Sequence, residues 1–166
     1  MAHRIAVIPG DGIGKEVVPE GMRVLEAAGR RFGFDLEWTT FDWSCERYAK
    51  IGSMMPEDGL EQLRKFEAIF LGAVGFPGVP DHVSLWGLLI PIRRGFQQYV
   101  NLRPVRLLPG VRSPLAGRSS ADIDMVIVRE NNEGEYSEIG GRLYRGTSEE
   151  LAVQTAMFTR KGCDRV

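Results

Sequence analysis

The sequence predicts an α/β fold that begins with a parallel sheet and continues into a second α/β region with a β-hairpin. In the first 75 residues, short apolar runs alternate with segments of helical spacing, in the order β-α-β-α-β. This alternation is typical of a parallel sheet with helices on its faces. Later in the chain, extended segments on either side of Gly140-Gly141 predict the hairpin, because paired glycines fit a tight primed turn.

The elements of the first half follow from their apolar spacing. Ile5–Ile8 is an apolar run that ends at Pro9-Gly10, which predicts a buried strand followed by a turn. Lys15–Phe32 has the spacing of an amphipathic helix, and Phe34–Phe41 alternates like a strand. The remaining predictions are a short helix at Arg47–Gly52, a helix at Pro56–Phe66 and a strand at Ala68–Leu71.

The middle of the chain is predicted to contain two loops and three regular segments. Gly75–Ser84 and Gly110–Ala121 are rich in turn-forming residues, which predicts loops. Leu85–Phe96 is predicted to be helical, with Pro91 near its start or at a kink. Tyr99–Leu108 is expected to be extended, and Asp124–Arg129 to be a strand.

The last part of the chain is predicted to be a hairpin followed by helix. The hairpin has strands at Gly134–Ile139 and Arg142–Arg145, with its turn at Gly140-Gly141. Thr147–Phe158 has helical spacing with Ser148 as its N-cap, and Thr159–Val166 resembles the first turn of a further helix.

Composition excludes several classes of protein. The 166 residues are 43% hydrophobic and 26% charged, which is ordinary for a globular protein, and the net charge of −1 gives no field that favours nucleic acid or an acidic membrane. No apolar run is long enough for a transmembrane helix, and the N-terminus lacks the features of a signal peptide. Cys45 and Cys163 lie far apart without a CxxC pattern, so we expect a reduced, cytoplasmic protein without a zinc site.

The glycine-rich turn Pro9–Gly14 lies between a predicted strand and a predicted helix, where phosphate-binding loops occur. The dinucleotide fingerprint needs a third glycine where this sequence has Lys15, and no P-loop GK[ST] follows. Two interpretations remain open. Either the turn is only a tight structural connection, or its backbone N–H groups and Ile13 contact a ligand.

Three arginines, Arg93, Arg103 and Arg129, are candidates for a site that binds a small dianion. A guanidinium group pairs with a carboxylate through two parallel hydrogen bonds, so converging arginines suit a dicarboxylic acid. The alternative is internal ion pairing with the acids Asp124, Glu130 and Glu133.

Tyr136 follows Arg129 by seven residues, and a phenol beside arginine can donate a proton, although a tyrosine in a hairpin is also a common packing residue. The apolar residues Trp86, Leu89 and Ile90 precede Arg93 and belong either to the core or to the wall of a substrate pocket. His82 has no recognisable serine and acid partners, so nucleophilic hydrolysis is not expected.

Five segments in order resemble the β-decarboxylating dehydrogenases, which include isopropylmalate, isocitrate, homoisocitrate and tartrate/D-malate dehydrogenases. They are IAVIPGDGIGKEV, IFLGAVG, LLIPIRRGFQQYVNLRP, VIVRENNEGEYSEIGG and RLYRGTSEE. Three segments are most similar to the tartrate/D-malate branch: FDWSCERY, GFPGVPDHVSLWGLLIPIRRG and VRENNEGEYSEIGGR.

The resemblance implies a role for each candidate residue. Arg93, Arg103 and Arg129 would hold the malate core and its carboxylates, and Tyr136 would protonate the enol after CO2 leaves. Trp86, Leu89 and Ile90 would contact the substituent on that core. Ile13 and the Ala73-Val74-Gly75 turn would lie near the cofactor, NAD. None of these residues is implied as a metal ligand.

The resemblance also implies an isopropylmalate dehydrogenase-like fold and an activity. Residues 1–98 would begin the large, cofactor-side domain, and residues 99–166 would begin the substrate and dimerisation domain, whose hairpin 134–145 would clasp a second copy in a homodimer. The implied activity is oxidation of tartrate or D-malate by NAD, with or without decarboxylation and assisted by Mg²⁺ or Mn²⁺.

In the family, the metal-binding aspartates, a catalytic lysine and the adenine-binding loop come after the matched region. We therefore expect the 166-residue chain alone to lack essential groups and to be inactive. The alternatives are an isopropylmalate dehydrogenase and a non-catalytic fragment that binds dicarboxylates.

Overall fold

A computed structural model describes residues 2–166, and the contacts divide the chain into two compact units. The first unit extends to Gly95, and the second spans Phe96–Val166. Within the described residues, no helix combines the length and apolar character that crossing a lipid bilayer requires.

The first unit is built on a three-stranded parallel sheet in the order β2-β1-β3. The strands are β1 (Ala2–Gly10), β2 (Asp35–Thr40) and β3 (Ala68–Ala73). The central strand carries the core of the unit, because Ala6, Val7 and Ile8 are completely buried. The predicted β-α-β-α-β order and the parallel sheet are confirmed.

Three helices connect these strands. Helix α1 (Gly14–Phe32) packs against the sheet and ends at Gly33, whose positive φ of 78° provides the left-handed cap that glycine adopts readily. Helix α2 (Cys45–Ile51) begins after Ser44, whose Oγ accepts the N–H of Arg47 at 3.0 Å. Helix α3 (Gly59–Leu63) is much shorter than the predicted Pro56–Phe66 segment.

The last part of the first unit is a short run of consecutive helical turns. It consists of α4 (Asp81–Ser84), a π-helical turn (Leu85–Leu89) and α5 (Ile90–Gly95). The predicted loop Gly75–Ser84 is therefore wrong at its end. Pro91 lacks a backbone N–H and clashes with the preceding turn of a regular α-helix, and the wider π turn lies directly before it.

The second unit contains two antiparallel pairs of strands. Strands β4 (Val100–Arg106) and β5 (Asp124–Glu130) form one pair. Strands β6 (Gly134–Leu143) and β7 (Leu151–Met157) form the other. Helix α6 (Arg160–Asp164) follows, with Thr159 as its N-cap, as predicted.

The second hairpin differs from its prediction in two ways. Gly140-Gly141 is not a turn, because both residues lie inside β6 and pair with Gln154 and Val153. Thr147–Phe158 is not a helix, because Leu151–Met157 forms β7. The clasp predicted at 134–145 is therefore a hairpin over residues 134–157. Helical spacing in β7 is overridden by cross-strand hydrogen bonds to β6, which no local pattern reveals.

Candidate functional site

The carboxyl ends of β1 and β3 form the first candidate site. From β1 the chain passes to β2 on one side of the sheet, and β3 then pairs with the other side of β1. In open α/β sheets, ligands bind where the connections diverge in this way, outside the carboxyl ends of the strands. The predicted cofactor-side residues Ile13 and Ala73-Val74-Gly75 lie on these two connections, and Gly10 pairs directly with Ala73.

The turn after β1 is both tightly packed and open to solvent. A Cβ at Gly10 would lie 2.0 Å from the Ala73 carbonyl oxygen, and one at Gly14 would lie 2.0 Å from the Pro9 carbonyl oxygen. Glycine is therefore required at both positions for steric reasons. Ile13, by contrast, is 58% exposed. The close packing at Gly10 and Gly14 is what a tight structural connection requires. The exposure of Ile13 leaves its side chain accessible to a ligand, so both interpretations of the turn stay open.

Asp11 joins the two connections to a third one and was not identified from the sequence. Its carboxylate accepts the backbone N–H of Cys45 at 3.0 Å, of Glu46 at 3.1 Å and of Gly75 at 3.2 Å. Its own N–H donates to the Ala73 carbonyl oxygen at 2.7 Å. The side chain is 1% exposed, so a single buried carboxylate holds the loops that follow β1, β2 and β3.

The electrostatics around Asp11 follow from this burial and these hydrogen bonds. Burial opposes ionisation of Asp11, but the N–H groups of Cys45, Gly75 and Glu46 outweigh it and lower the pKa of the carboxyl. Burial and the adjacent Asp11 carboxylate raise the pKa of the Cys45 thiol to about 11. Asp11 is therefore a stable anion, and Cys45 is a neutral thiol beside it.

A cleft of about 380 Å³, lined by both apolar and charged side chains, lies at the carboxyl ends of β1 and β2. Its charges are mixed: Lys15 binds Glu46 at 2.6 Å, and Arg47 approaches Asp42 at 3.6 Å. These two ion pairs neutralise Lys15 and Arg47, and the lining also contains Lys50, so its charges balance except for one exposed cation.

In the second unit, two predicted arginines share one face of the β4–β5 pair. Asn101 lies opposite Arg129 in the register, and residues two apart on a strand point to the same face, so Arg103 joins them. Arg103 Nε donates to Asn101 Oδ1 at 3.2 Å. Arg106, an odd number of residues away, lies on the opposite face near Asp124, with 3.9 Å between Nε and Oδ2. The structure therefore brings Arg103 and Arg129 together around Asn101.

Tyr136 completes this cluster. Arg129 Nη2 donates a hydrogen bond to the Tyr136 hydroxyl, and the Arg129 guanidinium carbon lies 5.5 Å from the centre of the tyrosine ring. Arg129 also contacts Glu135 at 3.3 Å, and the carboxylate of Glu135 is largely exposed. The only ion pair of Arg129 among the described residues is thus with a solvent-facing acid rather than with the predicted alternatives Asp124, Glu130 and Glu133.

Glu130 fixes the turn between Arg129 and Tyr136. Its carboxylate accepts the N–H of Asn132 at 3.0 Å and of Glu133 at 2.8 Å. Arg165, which stacks on the Tyr99 ring at 4.5 Å, also approaches this carboxylate at 3.9 Å. These hydrogen bonds fix the turn that follows Arg129, and the fixed turn brings Tyr136, seven residues later, into contact with Arg129.

The remaining predicted residues belong to the first unit. Arg93 lies on α5 and is partly buried. Trp86 and Leu89, in the π-helical turn, are also partly exposed, and the Arg94 guanidinium lies 5.1 Å from the Trp86 ring centre. Ile90 is 4% exposed, so its side chain packs in the core of its unit. Their convergence with Arg103 and Arg129 stays a prediction.

Binding of a divalent metal ion requires several His, Cys, Asp or Glu side chains close together. Across residues 2–166, no three His, Cys, Asp or Glu side chains are grouped so that they could hold a metal ion. The described residues therefore do not fit Mg²⁺ or Mn²⁺ by themselves.

Comparison with known proteins gives consistent matches along the chain. It is 61% identical over 165 residues to a D-malate dehydrogenase [decarboxylating] of Escherichia coli (strain K12), which covers 98% of the chain and 46% of that protein. It is 58% identical over 167 residues to a tartrate dehydrogenase/decarboxylase of Pseudomonas putida, covering 99% of the chain and 46% of that protein. The chain thus spans about half the length of the curated relatives it matches.

Solved structures of similar proteins also match nearly the whole chain. The isocitrate dehydrogenase of Methylococcus capsulatus matches with a TM-score of 0.77 at 28% identity, over 98% of this chain and 44% of that one. A β-decarboxylating dehydrogenase of Thermococcus kodakarensis matches with a TM-score of 0.61 at 33% identity, over 98% of this chain and 42% of that one. These matches confirm the predicted isopropylmalate dehydrogenase-like α/β fold. Residues 4–166 match the isocitrate/isopropylmalate dehydrogenase family model, and the chain belongs to that family.

Proposed function

We propose that the protein containing this chain uses NAD to oxidise a small 2-hydroxy dicarboxylic acid, tartrate or D-malate, with or without decarboxylation. The observation that carries this proposal is the cluster of Arg103, Arg129 and Tyr136, in a chain 61% identical to a D-malate dehydrogenase [decarboxylating]. The arginines supply positive charge for carboxylates, and the phenol supplies an exchangeable proton.

The arginine pair is suited to hold the acid. Charge-assisted hydrogen bonds from guanidinium to carboxylate are strong and directional, so two arginines on one face fix both the position and the orientation of a small dianion. Arg129 already pairs with an exposed carboxylate, that of Glu135, which a substrate carboxylate can replace. We propose Arg93 as a third contact and the partly exposed Trp86 and Leu89 as the wall near the substituent, with the buried Ile90 packed behind them in support.

Tyr136 is the proposed proton donor. Oxidation at C2 gives a β-keto acid. When its carboxylate leaves as CO2, the electron pair of the broken C–C bond remains as an enolate, and one proton added on carbon gives the ketone. The hydrogen bond from Arg129 fixes the hydroxyl of Tyr136 beside the same arginine that is proposed to bind the substrate. Tyr136 would give its proton to the enolate carbon and recover one from solvent.

The turn formed by Ala73, Val74 and Gly75, together with Ile13, is the proposed contact surface for NAD. A Cβ built at Gly75 or at Gly12 would meet nothing within 4 Å, so the backbone at the end of the sheet is open to a flat ligand. The exposed Ile13 side chain offers an apolar contact beside it. NAD, when bound, accepts the hydride that leaves C2. The described residues do not fit Mg²⁺ or Mn²⁺ by themselves, so the roles proposed for this chain are those of its arginines, Tyr136 and the NAD-facing turn.

We also propose that the protein is a cytoplasmic homodimer joined through the β6–β7 hairpin. One face of this hairpin carries Ile139, Leu143, Leu151 and Val153, all at least 43% exposed. An apolar face of this kind favours burial against a second copy. Both cysteines are free thiols, which is typical of a reducing compartment.

Comparison of three acids tests the substrate. Initial rates of NADH formation with NAD and Mn²⁺ would be measured for D-malate, tartrate and isopropylmalate, using the protein that contains this chain. We expect kcat/KM to be higher for D-malate or tartrate, because bulky Trp86 limits the substituent. A preference for isopropylmalate would assign the protein to that branch instead, and the absence of NADH with all three would refute the proposal.

The role of Tyr136 is tested by Tyr136→Phe. General acid catalysis contributes about 10²–10⁴ in rate, so we expect kcat for decarboxylation to fall by about this factor. Protection of the variant against thermal unfolding by D-malate should be retained, since the arginines remain. Tyr144→Phe, which removes the hydroxyl of an exposed tyrosine, is the matched control and should keep the kcat of the wild type. An unchanged kcat in Tyr136→Phe would remove Tyr136 from the mechanism.

A further inference from the structure

We infer that Asp11 is a positioning residue for the cofactor: its carboxylate holds the Ala73–Gly75 turn in place, so its loss weakens binding of NAD but not of the hydroxy acid. The identity of the ligand rests on the proposed function, whereas the hydrogen bonds between Asp11 and the three loops are observed in the structure.

Asp11 connects segments that are remote in the sequence. Oδ2 accepts the N–H groups of Cys45 and Gly75, and Oδ1 accepts the N–H of Glu46. Gly75 lies 64 residues from Asp11 in the chain, and Cys45 lies 34 residues away. The N–H of Asp11 adds a bond to the Ala73 carbonyl oxygen at 2.7 Å. Both ends of the Ala73–Gly75 turn are therefore tied to one residue.

An ionised carboxylate is the group that this position requires. A buried charge is costly unless it is fully hydrogen-bonded, and here three N–H groups surround a side chain that is 1% exposed. A carboxylate accepts on both oxygens, whereas an amide has one acceptor and one donor. Asparagine would therefore keep the bonds to Cys45 and Gly75 and leave the N–H of Glu46 without an acceptor. Alanine would lose all three.

The tether matters because it restrains the far end of the turn: Ala73 is already paired with Gly10 in the sheet, whereas Gly75 lies beyond the end of β3. Gly75 has a φ of 153°, and a Cβ there would meet nothing within 4 Å, so no side-chain packing fixes this residue. Groups that contact a ligand must be held to within about 0.5 Å to bind it well. The bond from the Gly75 N–H to Asp11 supplies this restraint at the position proposed to face NAD.

The test combines two variants with two measurements. Amide-resolved hydrogen exchange would follow the N–H groups of Cys45, Glu46 and Gly75 in wild type, Asp11→Asn and Asp11→Ala. We expect Asp11→Asn to lose protection mainly at Glu46, and Asp11→Ala to lose it at all three, while the β1 amides stay protected. Steady-state rates on the same proteins would give KM for NAD and for D-malate separately.

A graded effect on the cofactor alone supports the inference. The loss of one charge-assisted hydrogen bond weakens a restraint by about tenfold. We expect KM for NAD to rise about tenfold or less in Asp11→Asn and further in Asp11→Ala, with KM for D-malate within about twofold of wild type. Asp42→Asn is the matched control, because Asp42 is exposed and its carboxylate pairs with Arg47 rather than with Gly75. We expect it to behave like wild type.

Two results would overturn the inference. One is a parallel rise of both KM values, which would mean that Asp11 supports the whole fold rather than the cofactor turn. The other is lost amide protection with an unchanged KM for NAD. If the wild type does not use NAD but the three amides lose protection in the Asp11 variants as described, the proposed function is wrong, while the role of Asp11 in holding the turn is supported. Asp11→Asn keeps two of the three bonds, so it provides a folded variant even where Asp11→Ala does not fold.

Discussion

At the scale of single residues, position on a strand determines which arginine shares a face with the proposed site. Arg103 and Arg106 lie on β4, but Arg103 shares a face with Arg129, and Arg106 points to the other face beside Asp124. We predict that Arg103→Gln raises KM for the hydroxy acid about tenfold or more, the usual effect of losing one charge-assisted contact.

Arg106→Gln is the matched control for this prediction. It removes the same charge from the same strand, and its ion pair with Asp124 is exposed and contributes little. Initial rates at varied D-malate, with NAD held saturating, would give both KM values. Equal increases in the two variants would indicate a general electrostatic effect and would contradict a site at the Arg103 face.

Sequence reasoning found residues whose chemistry is visible locally and missed those that act through distant partners. Arg129 and Tyr136 were predicted as site residues, and the structure places them in contact. Asp11 was missed because a carboxylate in a glycine-rich turn is unremarkable until its partners, 34 to 64 residues away, are known. Glu130 was considered only as a counter-ion, whereas it caps the turn that brings Tyr136 to Arg129.

At the scale of elements, local patterns predicted the buried strands and the long helix. Strands β1, β3 and β5 are apolar runs, and α1 has a regular apolar stripe, so each signal lies within the element itself. Strand β7 was predicted as helix because Leu151–Met157 combines good helix formers with apolar spacing. Its strand conformation depends on pairing with β6, and such non-local pairing determines strand behaviour more than propensity does.

The β6–β7 hairpin has two chemically different faces, and this difference makes the proposed clasp testable. Val153 lies opposite Gly141 on the apolar face, and Gln154 lies opposite Gly140 on the other face. We predict that Val153→Asp shifts the protein from dimer to monomer, because it places a charge among apolar side chains that the partner would bury.

Gln154→Asp serves as the control because it introduces the same carboxylate one residue away on the polar face. Sedimentation or light scattering at several protein concentrations would give the dimer dissociation constant of each variant. We expect a clear loss of dimer only for Val153→Asp. A dimer that tolerates aspartate at Val153 would exclude this face as the interface.

At the scale of the whole molecule, each unit contains one carboxylate that connects separate segments of that unit by hydrogen bonds and has a lowered pKa. In the first unit, burial of Asp11 is outweighed by its backbone hydrogen bonds. In the second, the N–H and hydroxyl of Thr159 bind Glu133 and lower the pKa of its carboxyl, which ties the start of β6 to the end of β7. In both units, therefore, the ionised form of one carboxylate is favoured by the hydrogen bonds that it accepts.

This arrangement predicts acid sensitivity with a defined sign. A carboxyl whose pKa is lower in the folded protein stabilises the fold above its unfolded pKa, and this contribution is lost as the pH falls through the folded pKa. For Asp11 the loss begins near the ordinary value of 3.8, and for Glu133 near 4.5. We predict that the Tm of the wild type falls steeply below pH 4.5.

Substitution separates the two contributions. Asp11→Asn and Glu133→Gln should each lower Tm at pH 7, and the difference from wild type should shrink below pH 3.8 and pH 4.5, respectively, because protonation of the wild-type carboxyl then mimics the amide. Glu57→Gln changes an exposed carboxyl before α3, and we expect its Tm to stay close to that of the wild type from pH 7 to pH 3. Scanning calorimetry from pH 7 to pH 3 gives these differences directly. A difference that stays constant over this range would mean that the amide variants act through packing, and that ionisation of Asp11 and of Glu133 does not stabilise the unit to which each belongs.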